Sequence, residues 1–123
     1  MKPTDTLSAM GDTSDAVART LLDKGIRGRQ QAATVCPVAN YLTSCGFHGV
    51  RVGMTFVRVQ VEDVVKPEDF TQPFDASTVG ALEYVDQDHT LRFLLPQPVR
   101  DFIRRFDDGA FPEMSDGAGY EPT

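Results

Sequence analysis

Val99, Phe102, Ile103 and Phe106 recur at i, i+3, i+4 and i+7, with Arg100, Asp101, Arg104, Arg105, Asp107 and Asp108 between them. That spacing is the apolar stripe of an amphipathic helix, predicted over residues 96–108. Pro98 suits the first helical turn and Gly109 the stop. A second helical pattern, Val17, Ala18, Leu21 and Leu22, starts at Ser14 as N-cap and ends at Lys24, with Gly25 as its stop. A third starts within residues 34–37 and ends at Gly46, where Val35, Val38, Leu42 and Cys45 form a buried stripe.

After Phe47 the period drops to two. Val50 and Val52 flank Arg51, and Val57, Val59 and Val61 alternate with Arg58 and Gln60. The apolar phase flips between Phe56 and Val57, so a turn or bulge is required at residues 53–55. Strands over 49–53 and 56–62 then make a hairpin. Leu91, Phe93 and Leu95 face opposite to Arg92, which predicts a second hairpin, 81–85 with 90–95, around a turn at 86–89. Residues 63–79, with Pro67, Pro73 and several acids, read as a loop with one helical turn at 67–70.

The order is α-α-β-β-β-β-α. Strands joined by short turns imply a four-stranded antiparallel sheet with one wet face and helices on the other, a two-layer α+β domain. Residues 1–13 are expected as a flexible leader, 14–111 as the single domain and 112–123 as a tail, with Phe111 and Met114 apolar enough to tuck against the body.

Length supports one core and not two, since the chain has 123 residues. Nothing approaches the ~20 apolar residues of a membrane span, and the polar start carries no secretory pattern. With two cysteines, a reducing cytoplasmic setting and free thiols are expected. The net charge of −6 is unevenly spread. Residues 17–60 hold six basic side chains (Arg19, Lys24, Arg27, Arg29, Arg51, Arg58) against Asp23, whereas residues 61–90 hold eight acids against Lys66. A positive face on an acidic molecule is compatible with that layout, although a charged surface most often just meets water.

Cys36, ahead of Pro37, is the strongest candidate for reactivity, because a thiol at a helix start feels the positive dipole end. A catalytic thiol also needs a base, and His48 and His89 are the only imidazoles; sequence places neither beside it. A Cys36, Cys45, His48, His89 metal set fails on spacing, since nine residues put the two sulfurs on opposite sides of a helix. The carboxylate pairs Glu68–Asp69, Asp86–Asp88 and Asp107–Asp108 sit in turns or at a helix end, where aspartate serves the local backbone. The segment 24–29 has a phosphate-loop composition without the spacing or a preceding strand. The first two helices superficially suggest a helix-turn-helix, with Arg27 and Arg29 on phosphates. Their connector, 26–33, is too long, and the second helix carries no basic residue to read a base.

Cys36-Pro37-Val38-Ala39-Asn40-Tyr41-Leu42, the Gly25-Ile26-Arg27-Gly28 turn, and Phe102-Ile103-Arg104-Arg105-Phe106-Asp107 with Gly109 and Phe111-Pro112-Glu113 carry a resemblance. The chain resembles a group of short uncharacterised proteins of actinobacteria and their phages, across most of residues 16–114. These motifs are structural, so the resemblance implies no activity, ligand or catalytic residue. It does imply a phage or accessory-genome origin, and with it a host protein as partner.

No nucleophile, base and orienter assemble from these residues. The expectation is a small non-enzymatic cytoplasmic interaction protein with no catalytic residue, metal or cofactor. Its partner is another protein, or a second copy of the chain as a homodimer. The interface is sought at Arg27 and Arg29 in the connector and at Arg100, Arg104 and Arg105 on the last helix, since arginine is enriched where specific contacts form. A nucleic-acid regulator using Arg27 and Arg29 is the first alternative, and a thiol enzyme using Cys36 the second.

Overall fold

Apart from Leu22 and Val35, which are exposed, the predicted apolar stripes find their partner surface in the computed structural model, which describes residues 2–115. Four helices, α1 (Pro3–Ser8), α2 (Ser14–Asp23), α3 (Pro37–Ser44) and α4 (Gln97–Asp107), accompany a four-stranded antiparallel sheet. Its strands are β1 (Arg51–Val52), β2 (Phe56–Gln60), β3 (Glu83–Val85) and β4 (Thr90–Leu94), in spatial order β1-β2-β4-β3. The fold is α+β, as the alternation of periods predicts. Among the described residues, no helix is long and apolar enough to cross a membrane.

Register explains the phase flip. Val52 stands opposite Val57, Gly53 N–H donates to Phe56 O at 2.8 Å, and the chain turns between them. Val57 then faces Phe93, and Val59 faces Leu91, so one sheet face is uniformly apolar. Paired residues share a face in an antiparallel ladder, so a single register decides both surfaces. The apolar side packs under the helices in one continuous core that includes Val17, Leu21, Leu42 and Val99. Phe102 stacks on Phe106 and on Phe111, at centroid separations of 5.8 and 5.3 Å. Arg105 ties α4 to the start of α2, donating to Ser14 Oγ at 2.7 Å and to Asp15 at 2.8 Å.

Glycine ends α2 as expected. Gly25 has φ +71°, its N–H bonds Leu22 O, and Ile26 N–H bonds Leu21 O, both at 2.9 Å. This is a Schellman stop, which the Cβ of most residues would strain. The N-cap is Thr13 rather than Ser14, its hydroxyl accepting from Ala16 N–H at 3.1 Å.

Three further expectations need correction. The flexible leader is instead part of the body: residues 3–8 form α1, with Leu7 fully buried and Met10 nearly so. The body also runs past residue 111, since Met114 is buried and Gly28 bridges Ser115 in parallel; residues 116–123 lie outside the described residues. Val35 is exposed, because α3 begins only at Pro37 with Cys36 as N-cap, so helical periodicity does not reach it.

The connector 26–33 is an ordered strap and not a helix-turn-helix turn. Val52 N–H donates to Ala33 O at 2.8 Å, which covers the outer edge of β1. Gln30 Nε2 donates to Phe106 O at 3.0 Å, and Gln31 N–H donates to Asp107 Oδ1 at 2.8 Å. The first satisfies a backbone carbonyl at the C-terminal end of α4, and the second fastens the strap to the Asp107 side chain. The loop 63–79 is pinned by its aromatic residues, with Phe70 stacked on Phe74 at 5.1 Å and edge-on to Tyr84 at 5.5 Å.

Candidate functional site

The sheet's other face is left uncovered, and the polar half of each strand's alternation collects there. Arg51 stands opposite Arg58, Arg58 opposite Arg92, and Arg92 opposite Glu83, so one row of charged residues crosses all four strands. Directly opposed residues in such a ladder have Cβ atoms about 5 Å apart. The next row on the same face is Gln60, Thr90 and Val85, and the row on the other side is Phe56 with Leu94.

The three guanidinium groups differ in how far they are neutralised. Arg92 pairs with Glu83 and lies 4.6 Å over the ring of Phe56, an arrangement that holds it flat on the sheet. Its buried Nε has no partner. Arg58 makes a long contact with Asp88, at 3.4 Å. Arg51 has no partner among the described residues.

Between the arginine row and the Gln60–Thr90 row lies a depression of about 530 Å³, lined by Gly49, Arg51, Arg58, Gln60, Asp88 and Thr90. Gly49, at φ +59°, leaves the space: a Cβ there would stand 2.8 Å from Gln60 Nε2. Thr90 is 5% exposed, and its hydroxyl is buried without a hydrogen-bond partner. On the far side of the row a second hollow of about 300 Å³ touches Arg51, Phe56, Arg58 and Arg92. The face therefore presents donors from three strands and one weakly held carboxylate.

The arginines singled out from sequence lie on two elements, the strap and α4. Arg27 and Arg29 are exposed in the strap, where the Arg27 carbonyl accepts from Asn40 Nδ2 at 2.6 Å. On α4, Arg104 is exposed, and Arg100 is half-buried with its Nε unpartnered. Arg105 is committed to Ser14 and Asp15 and lies 4.9 Å over Phe111. The row of Arg51, Arg58 and Arg92 was missed. Its signal was the placement of each arginine at a polar position between core valines, leucines or phenylalanines.

Cys36 is the N-cap of α3, and its Sγ accepts from Ala39 N–H at 3.4 Å. Burial nevertheless dominates that favourable contact and pushes the thiol up to about 11. At neutral pH the group is protonated. It borders an apolar cavity of about 260 Å³ together with Val38, Val52, Phe102, Ile103 and Phe106. His48 is taken up by Asp63, which receives its backbone N–H at 2.7 Å and contacts its Nδ1 at 3.0 Å. His89 meets the Tyr84 hydroxyl at 2.8 Å and Glu62 at 3.4 Å. Neither imidazole joins Cys36 in a hydrogen bond. Among the described residues, no three of His, Cys, Asp and Glu converge as a metal set.

No family model, curated protein or solved structure matches the chain.

Proposed function

We propose that the protein is a small non-enzymatic interaction module that docks an acidic segment of a partner protein on its open sheet face. The row of Arg51, Arg58 and Arg92 carries this reading. Three like charges side by side on neighbouring strands oppose pairing, and one of them has no internal counter-charge. An acidic segment supplies what the row lacks, and guanidinium groups form paired hydrogen bonds with carboxylates. The partly covered Phe56 and the exposed Leu94 add apolar area beside the charges, the mixture found at protein interfaces. A cytoplasmic setting belongs to the same reading, and the resemblance to phage proteins makes a host protein the partner to seek.

Nucleic acid is the competing ligand for any arginine row. Among the described residues of the four strands, Phe56 is the only aromatic ring on this face, and it already lies under Arg92, so these strands offer no free stacking platform beside the charges. The test is fluorescence anisotropy with a labelled glutamate- and aspartate-rich peptide and with a single-stranded oligonucleotide. Peptide binding that is abolished in Arg51→Glu/Arg58→Glu, and unchanged in the control Arg19→Glu on α2, supports the docking face. Tighter retention of the oligonucleotide, or peptide binding indifferent to the double reversal, overturns it.

A further inference from the structure

We propose that the depression beside the row is a phosphoryl subsite, taking a phosphorylated serine or threonine side chain on the acidic segment. This rests on the docking reading and narrows it.

The donors surround the space instead of lying along one edge. Arg51 comes from β1, Arg58 and Gln60 from β2, and Thr90 from β4. A carboxylate is planar and is satisfied by one guanidinium fork, which leaves the floor unused. A phosphoryl group has three equatorial oxygens and a charge near −2, so it can engage two arginines and a floor hydroxyl together. Thr90 is the floor. Its side chain is buried, its hydroxyl has no internal partner, and a buried polar atom left unsatisfied costs stability. An oxyanion seated between Arg51 and Arg58 would take that hydroxyl as a donor. Gly49 contributes by having no side chain, so the depression reaches down to Gln60.

Asp88 supplies the discrimination. Its carboxylate already touches Arg58, at 3.4 Å with both side chains partly exposed. A carboxylate arriving from a partner offers Arg58 little more than Asp88 does, and it meets the repulsion of a like charge. A dianion offers more charge and more acceptors, so it displaces Asp88 where a monoanion does not. In this arrangement Asp88 works as a filter: it lowers affinity for all anions but lowers it most for carboxylates.

Titration of the ¹⁵N-labelled full chain, followed by NMR at constant ionic strength, tests this. The probes are an acidic peptide containing phosphothreonine, the same peptide with glutamate at that position, and inorganic phosphate. The phosphopeptide is expected to bind at least ten-fold more tightly than the glutamate peptide, with saturable shifts at Gly49, the Gln60 side-chain amide and Thr90. Thr90→Val, close in shape, should remove most of that preference while both peptides still bind. Asp88→Asn should tighten both peptides and shrink the ratio between them. Equal affinity for the two peptides overturns the subsite and leaves the docking face standing. If neither peptide binds, both proposals fall. Inorganic phosphate binding as tightly as the phosphopeptide overturns assignment of the group to a partner's side chain.

Discussion

Cys36 sits where helix geometry and burial pull its ionisation in opposite directions, and the outcome is measurable. Its N-cap contact with Ala39 favours the thiolate, but loss of solvent is the larger effect and carries the thiol from 9.0 to about 11. Two units mean about a hundred-fold less thiolate at any pH below 9. At pH 7.5 an unperturbed thiol of that type is about 3% ionised and Cys36 about 0.03%. Iodoacetamide should therefore modify Cys36 at least about 100-fold more slowly than a small-molecule thiol, since only the thiolate reacts. Mass spectrometry of quenched aliquots between pH 7.5 and 10.5 reads this directly, with the half-buried Cys45 as internal comparison. The rate should still be climbing at pH 10. The same shift links to folding. Between pH 9 and 11 the unfolded chain releases this proton and the folded chain keeps it, so stability falls as pH rises. The slope is about 1.4 kcal/mol per pH unit from this group, and Cys36→Ala should lack that contribution. A labelling rate that levels off below pH 8 would refute the burial account and revive a thiol nucleophile.

Leu7→Ala should cost about 3 kcal/mol and lower Tm by about 10 °C, because it empties a fully buried leucine site. Urea denaturation showing a loss under about 0.5 kcal/mol would return residues 1–13 to the status of a leader. Gly28→Ala should destabilise by about 2 kcal/mol or more. Its Cβ would lie 2.4 Å from the Cys36 carbonyl carbon and from Pro37 N, backbone atoms with no easy retreat. Arg51→Thr should leave stability unchanged or raise it by up to about 1 kcal/mol, since it removes a like-charge neighbour of Arg58 and adds a strand-favouring residue. The same variant should weaken binding of the acidic peptide, and a large loss of stability would show instead that Arg51 serves the fold.

The elements with repeated apolar positions were legible in the chain. The stripe of α4, the glycine stop of α2 and the alternation in β2 and β4 each hold several residues whose period survives local noise. Helix α1 was not legible, because residues 3–8 include only one large apolar side chain, Leu7, and a single turn has no period to read. Its order comes from tertiary burial. Val35 failed for a related reason. It lies at the right spacing from Val38, but Pro37 starts the helix, Cys36 before it is extended, and Val35 itself lies in a turn. For the candidate site, alternation put Arg51, Arg58 and Arg92 on polar positions of their own strands. Whether those positions align depends on the pairing of β2 with β4, which joins Arg58 to Arg92 across 34 residues. No local pattern fixes that register; the common core face does, once Val57 meets Phe93 and Val59 meets Leu91. Burial of the Cys36 thiol was equally hidden, since a dipole can be read from a helix start and desolvation cannot.

Charge on two length scales separates the ligands this face can take. Over the whole molecule the chain carries −6, and, Asp63 aside, the acids of residues 61–90, Glu62, Glu68 and Asp69 among them, lie on exposed positions. Screening at physiological salt confines each charge to about 8 Å, so the arginine row acts only on groups seated at the sheet. A compact anionic side chain fits inside that range. An extended polyanion does not, because phosphates beyond the row meet the acidic remainder of the surface. Binding to the open face should accordingly weaken with salt along a shallow slope, about one to two in log K against log[salt], as few ions are exchanged. A nucleic acid held at six or more phosphates would give a slope several times steeper. Such a slope, measured on the intact chain, would mean that the arginine row reaches beyond the sheet and that the partner is not a short acidic segment.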